Sequence, residues 1–208
     1  MKHYNSGHVW GRVVNAEEKS GKVREGNKRK TGTPYLSLEI QCPNDVYGDI
    51  TTFGRIWGRK KIDEFLALYR RDTAAAYHLQ GFFSQYTREA KVLSNYTVFK
   101  FSTSAQSDFR AAFILVGEVL STGCEEEMGV INLHVLREGS EGYEDMEEEF
   151  KVYTLNAQEV HGLNQGDALK VKGVLRYPEE LDHYGDNTGG TVRPYVMEMQ
   201  TIEKEEAF

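Results

Sequence analysis

The chain has 208 residues, 39% of them apolar and 27% charged, which is room for one large domain or two small ones of ordinary globular composition. Its net charge of −7 conceals a split: residues 1–105 carry 17 Lys and Arg against 10 Asp and Glu, net +7, while residues 106–208 carry 8 against 22, net −14. No apolar run approaches the roughly 20 residues of a membrane span, and the start, MKHYNSGH, has no apolar core of a secretory signal, so a cytoplasmic protein without membrane association is expected.

Catalytic and metal chemistry find little support. Cys42 and Cys124 lie far apart and form no CxxC. They are expected to be reduced thiols. The six His stand at 3, 8, 78, 134, 161 and 183, without the i, i+4 spacing that sets two ligands on one helix face. There is no nucleophile elbow, P-loop, zinc spacing or HExxH, so neither an enzyme nor a cofactor is expected.

His8 to Ala16 alternates, with Val9, Gly11 and Val13 on one face and Trp10, Arg12 and Val14 on the other, as a half-buried strand does. Glycine inside a strand marks a sharp bend or a close backbone approach. Glu17 to Thr33 is polar and rich in cations, including Lys28, Arg29 and Lys30. It reads as a hairpin loop, a cationic finger suited to a phosphate backbone. Pro34 to Cys42 alternates again, with Leu36, Leu38, Ile40 and Cys42 facing in and Tyr35, Ser37, Glu39 and Gln41 facing out.

Asp49 to Arg71 is the most informative stretch. Ile50, Thr52, Gly54 and Ile56 make one side of a strand, and Thr51, Phe53, Arg55 and Trp57 the other. Two aromatics and a cation suit stacking on bases beside phosphates better than a plain solvated face. Lys60 to Arg71 then changes period: Ile62, Phe65, Leu66 and Tyr69 form one apolar stripe on a short helix. Ala75 to Tyr86 is a fourth strand, with Phe82 and Tyr86 facing out. A loop with Arg88 follows, and then a fifth strand from Asn95 to Ser104, with Phe99 and Phe101 on one face.

Five strands with a helix between the third and fourth make an OB-type barrel over residues 1–105. Its outer faces collect Trp10, Tyr35, Phe53, Trp57, Phe82 and Tyr86, interleaved with Arg12, Arg55 and Arg59. After Gln106 to Arg110 the pattern restarts. Leu115-x-Gly117-x-Val119 repeats Val9-x-Gly11-x-Val13, and Val171-x-Gly173-x-Leu175 repeats Leu79-x-Gly81-x-Phe83. The expectation is therefore an all-β chain with short helices. It would be two tandem five-stranded OB-fold barrels, 1–105 and 106–208, each with a helix between strands 3 and 4. The second barrel carries Glu125–Glu127 and Glu147–Glu149, which would repel phosphate, and suits oligomerisation or partner binding. The loop with Asp182, His183, Asp186 and Asn187 lacks EF-hand spacing and reads as a hairpin loop.

The first half resembles bacterial and phage single-stranded DNA-binding proteins of the OB-fold type. The resemblance rests on Val9-Trp10-Gly11-Arg12-Val13-Val14, Tyr35 to Cys42, Asp49 to Arg55, the helix after it, and Leu79-Gln80-Gly81-Phe82. It implies that Phe53, followed by Gly54, stacks a base. It implies the same of Tyr47, six residues earlier, where the family usually has Trp. The acidic end, Glu203 to Phe208, is similar to the family's partner-recruiting tail, without its Pro before the Phe. Glu205, Glu206 and Phe208 would then meet replication or recombination proteins. Through the resemblance, two barrels in one chain imply a homodimer, the plan of the family's two-barrel members.

The function expected is sequence-independent binding of single-stranded DNA in replication, recombination or repair. Phe53, Trp57, Trp10 and Tyr47 would stack, and Arg12, Arg55, Arg59 and the Lys28–Lys30 cluster would meet phosphates. Two rivals remain open: an adaptor that recruits a protein through its acidic barrel, and single-stranded RNA binding, which stacking alone does not separate from DNA.

Overall fold

In a computed structural model, residues 4–25, 28–45, 49–88, 91–105, 108–125, 128–137, 146–176 and 196–204 are described. The chain is mostly β, with one α-helix among the described residues. Five strands fall in the basic half: β1 (Tyr4–Glu25), β2 (Lys28–Cys42), β3 (Ile50–Trp57), β4 (Ala76–Arg88) and β5 (Lys91–Ser104). The helix α1 (Arg59–Tyr69) follows β3. Five more fall in the acidic half: β6 (Arg110–Glu125), β7 (Met128–Arg137), β8 (Met146–Thr154), β9 (Ala168–Arg176) and β10 (Val196–Lys204).

The strands form one ten-stranded sheet that closes on itself twice. β1 pairs with β2, β2 with β3, β3 with β5 in parallel, β5 with β4, and β4 with β1 again. β6, β7, β8, β10 and β9 form a second circuit in the same order, with β8 and β10 parallel. Each first strand is long because it pairs with two neighbours in succession. It must bend between them, and both bend at a β-bulge: Val14 is skipped between Val13 and Asn15, Leu120 between Val119 and Ser121.

Close approach explains the repeated glycines. A Cβ on Gly11 would lie 2.6 Å from the Gln41 carbonyl oxygen, and one on Gly117 2.3 Å from that of His134. At Gly81 the obstacle is the Thr97 oxygen at 1.9 Å, and at Gly173 the Glu198 oxygen at 2.0 Å. No side chain fits such gaps.

The inward faces are those the alternation predicts. Val9, Val13, Leu36, Leu38, Ile40, Ile56 and Leu79 are buried, and so are Leu115, Leu133, Val152 and Val171 in the second circuit. The α1 stripe buries Ile62, Phe65 and Leu66. Phe65 packs edge-on to Phe101 and tilted against Tyr77, so the helix plugs one end of the first circuit. Cys42 is buried and free, its thiol pushed up to about 12 by desolvation, while Cys124 is exposed.

Three expectations need correction. The described residues of the polar stretch Glu17 to Thr33 are paired strand rather than loop: β1 runs to Glu25 and pairs with β2 in an antiparallel ribbon through Glu25↔Lys28. Cross-strand pairing takes up the backbone groups that face the partner strand and water can take the others, so the ribbon needs no apolar face. The second circuit has no α-helix between its third and fourth strands. A four-residue 3-10 turn, Ala157–Val160, stands there, capped by the Asn156 side chain, and the chain turns away at Gly162 with φ +90°. Phe99 and Phe101 do not share a face: Gln80 pairs with Lys100 and Gly81 with Val98, so Phe99 is the extra residue of a bulge.

The circuits meet where β1 and β6 run antiparallel, from Tyr4↔Val116 to Trp10↔Arg110. A clasp reinforces this seam. The Asn5 amide donates to the Phe83 carbonyl at 2.6 Å and to Glu148 Oε2 at 3.2 Å. The Lys151 N–H donates to Gln85 Oε1 at 2.7 Å.

Candidate nucleic-acid interface

The outer face of β2 and β3 assembles in rows set by their register. Tyr35 lies opposite Trp57, Ser37 opposite Arg55, and Glu39 opposite Phe53. Lys19 of β1 extends the first row beside Tyr35. The Tyr35 and Trp57 rings are 4.8 Å apart and tilted by 37°, and the Arg55 guanidinium lies 5.5 Å from the Tyr35 ring centre. These three therefore brace one another, a cation–π arrangement that fixes the guanidinium at the surface. Phe53 is not braced in this way and is 40% exposed.

Arg59, at the start of α1, is exposed but already engaged: its Nη1 donates to Glu18 Oε2 at 2.8 Å and lies 3.6 Å from Asp63. Such surface pairs are weak and exchange readily. Arg12 is exposed, with its guanidinium 5.4 Å from the Phe109 ring centre.

Trp10 belongs to a different group. It projects outward between His78 of β4 and Arg110 of β6, its two cross-strand neighbours. Its ring is parallel to that of His78 at 4.4 Å, and the Arg110 guanidinium is 5.1 Å from its centre. The neighbours approach from opposite flanks, so Trp10 is sandwiched at the seam rather than set beside Phe53. His8 Nδ1 is 3.1 Å from His78 Nε2, and His8 Nε2 is 3.1 Å from Ser6 Oγ. Burial holds both imidazoles below their usual range, and for His78 the charges of His8 and Lys100 add to it.

Phe82 is half-buried, opposite Thr97 on the outer face. Tyr47, Glu205, Glu206, Phe208 and the loop with Asp182 and His183 lie outside the described residues, as do the side chains of Lys28, Arg29, Lys30, Tyr86 and Arg88.

The geometry can be set beside known structures. No protein-family model and no curated protein matches the chain. Among solved structures, the wild-type single-stranded DNA binding protein from Thermus aquaticus matches over 100% of this chain and 96% of its own, with a TM-score of 0.61 and 14% identity. A deletion mutant of the same protein matches with a TM-score of 0.59 and 15% identity, covering 97% of its length. The two proteins share a fold. No helix among the described residues is long and apolar enough to cross a membrane, and no group of three or more His, Cys, Asp or Glu among them is placed to hold a metal ion.

One exposed aromatic escaped the sequence patterning. Phe99, at 47%, is more exposed than Phe53. The alternation carries no sign of it: the bulge that leaves both Phe99 and Lys100 exposed is visible only in the pairing with β4.

Proposed function

We propose that the chain binds single-stranded DNA without sequence preference through the outer face of the β1–β5 circuit. Residues 1–105 and 106–208 would be two copies of one OB barrel. The observation that carries the proposal is the Phe53, Arg55, Tyr35 and Trp57 face in a half of net charge +7. Exposed Phe53 offers a stacking surface that fits any base. Braced Arg55 and the lysines of the β1–β2 ribbon offer phosphate neutralisation. Stacking contributes about 1–3 kcal/mol per base. Salt-sensitive phosphate contacts supply the rest. The shared fold supports the reading, because the protein from Thermus aquaticus that matches along its whole length is a single-stranded DNA binding protein.

Arg12 and Arg59 would be outlying phosphate contacts, Arg59 by exchanging Glu18 for phosphate. The sandwiched Trp10 would stiffen the seam. Replication, recombination or repair would be the setting, the protein would act in the cytoplasm without catalytic chemistry, and two copies would pair as a homodimer. Glu205, Glu206 and Phe208 would recruit protein partners.

The test is titration with oligo-dT at two salt concentrations, with duplex DNA as control, following tryptophan fluorescence in wild type and Trp10→Phe. The expected result is quenching retained in Trp10→Phe, weakened by salt and absent with duplex. No binding at low salt overturns the proposal.

A further inference from the structure

We propose that Phe99 is a second stacking station for single-stranded nucleic acid, set apart from Phe53 on the same outer face; the inference rests on the function proposed above. Its basis is the β5 bulge. Val98 points into the core opposite Gly81, and Lys100 points out opposite Gln80, so the extra residue between them is free to turn outward. Bulges commonly re-aim one side chain in this way.

The fold itself does not demand an aromatic there. β10 carries the same bulge, between Met199 and Thr201, and the residue in it is Gln200. The shared bulge is architectural, because it accommodates the Gly81 and Gly173 close approaches. The Phe in the basic circuit is an addition. Being 47% exposed, Phe99 forgoes about half of the benefit of burial, and its open ring stands next to exposed Lys100.

Its position suggests which ligand. β3 and β5 run parallel, with Arg55↔Thr97 and Ile56↔Val98 paired. The pairing ends at Ile56↔Val98; continued one step along both strands, the same register would set Phe99 abreast of Trp57. Phe53 lies four residues back along β3, about 13 Å at the usual rise of a strand. One base step covers only about 3.4 Å in stacked DNA. A nucleic acid touching both rings must therefore be extended, passing Arg55, which lies between them, and Lys100, which is exposed beside Phe99. Cations between and beside two separated rings favour a polyanion that carries flat bases over an apolar peptide.

The test measures binding of labelled dT oligomers from about 4 to about 16 nucleotides, the span OB folds cover, by wild type, Phe99→Ala, Phe99→Trp and Phe53→Ala. Phe99→Ala should bind the shortest oligomers like wild type and the longer ones at least about fivefold more weakly, the loss of one stacked base. Phe99→Trp should restore binding, and its added indole should be quenched by long oligomers only. Thermal melts should match, because the side chain is exposed. If wild type binds and Phe53→Ala binds more weakly, while Phe99→Ala keeps wild-type affinity at every length, the second station is wrong and the function stands. Such a result would leave the Phe99 ring to a protein partner. If wild type binds no oligomer, both fall.

Discussion

The two circuits can be compared residue by residue, because their registers define equivalent positions. Tracing through β2 and β7, or through β5 and β10, gives the same assignment for the third strands: Phe53 corresponds to Lys151, Arg55 to Tyr153, and Trp57 to Leu155. On the neighbouring strands Tyr35 corresponds to Met128, Arg12 to Glu118 and Lys19 to Glu125. Most inward positions stay apolar, with exceptions that include Ile50, which corresponds to Glu148, and Thr52, which corresponds to Phe150, while the outward ones exchange their chemistry. In the acidic circuit the face closes on itself. Lys151 pairs with Glu125, the Tyr153 hydroxyl donates to the same carboxylate at 3.1 Å, and Met128, Val130 and Tyr153 bury one another. In the basic circuit the equivalent face leaves Phe53 and Phe99 outward. One architecture thus presents two surfaces, because a barrel is specified by its inward half and its bends, while ligand chemistry resides in the other half.

The register also places the seam. Each β1 residue corresponds to the β6 residue 106 positions on, as Gly11 does to Gly117, and paired residues of the two strands sum to 120. Gly7 therefore pairs with its own counterpart, Phe113. The seam has the form of a two-fold, self-complementary contact, built within one chain.

The strongest way to break the comparison is to give the basic circuit the acidic circuit's surface. Arg12→Glu, Phe53→Lys and Arg55→Tyr together should weaken oligo-dT binding roughly a hundredfold or more, from one lost stack and two lost phosphate contacts. Retained affinity by fluorescence titration would move the site off this face. Phe53→Ala alone should cost about 1–3 kcal/mol with any base sequence. Anisotropy on homopolymers that differ in base checks it.

Changes to the shared architecture should act alike in both halves. Gly81→Ala and Gly173→Ala each force a Cβ against a carbonyl oxygen and should each destabilise by about 1–3 kcal/mol in chemical denaturation. A harmless substitution at one of them would mean that its circuit deforms more easily.

The His8–His78 pair has no counterpart across the seam, where Ile114 and Lys170 stand. Both imidazoles are held below the ordinary 6.5. The unfolded chain therefore takes up protons first as pH falls, so this contribution is complete above about 6.5 and declines below it. His78→Gln should flatten that part of a melting-temperature profile, and an unchanged profile would remove the pair as its source. Lys151→Met should have the smallest effect, under about 1 kcal/mol of stability for a partly exposed pair, with oligo-dT affinity unchanged. A loss of affinity would show that the acidic face also binds.

The sequence by itself determined the period-two strands, the α1 stripe and the repeated glycines. It also determined the outward placement of Phe53, Arg55 and Trp57 and the division of charge. These are local properties, because side-chain period and composition follow from a few neighbouring residues. Only the tertiary structure decided the rest. Phe99 and Phe101 part because a bulge, set beside the close approach at Gly81, inserts one residue into an otherwise regular alternation. Trp10 is sandwiched because its flank meets Arg110, 100 positions away, across a seam that pattern cannot reveal. Arg59 meets Glu18 because the β1–β2 ribbon is paired rather than loose. Each of these outcomes depends on which strands become neighbours, and that choice is made by closing the sheet.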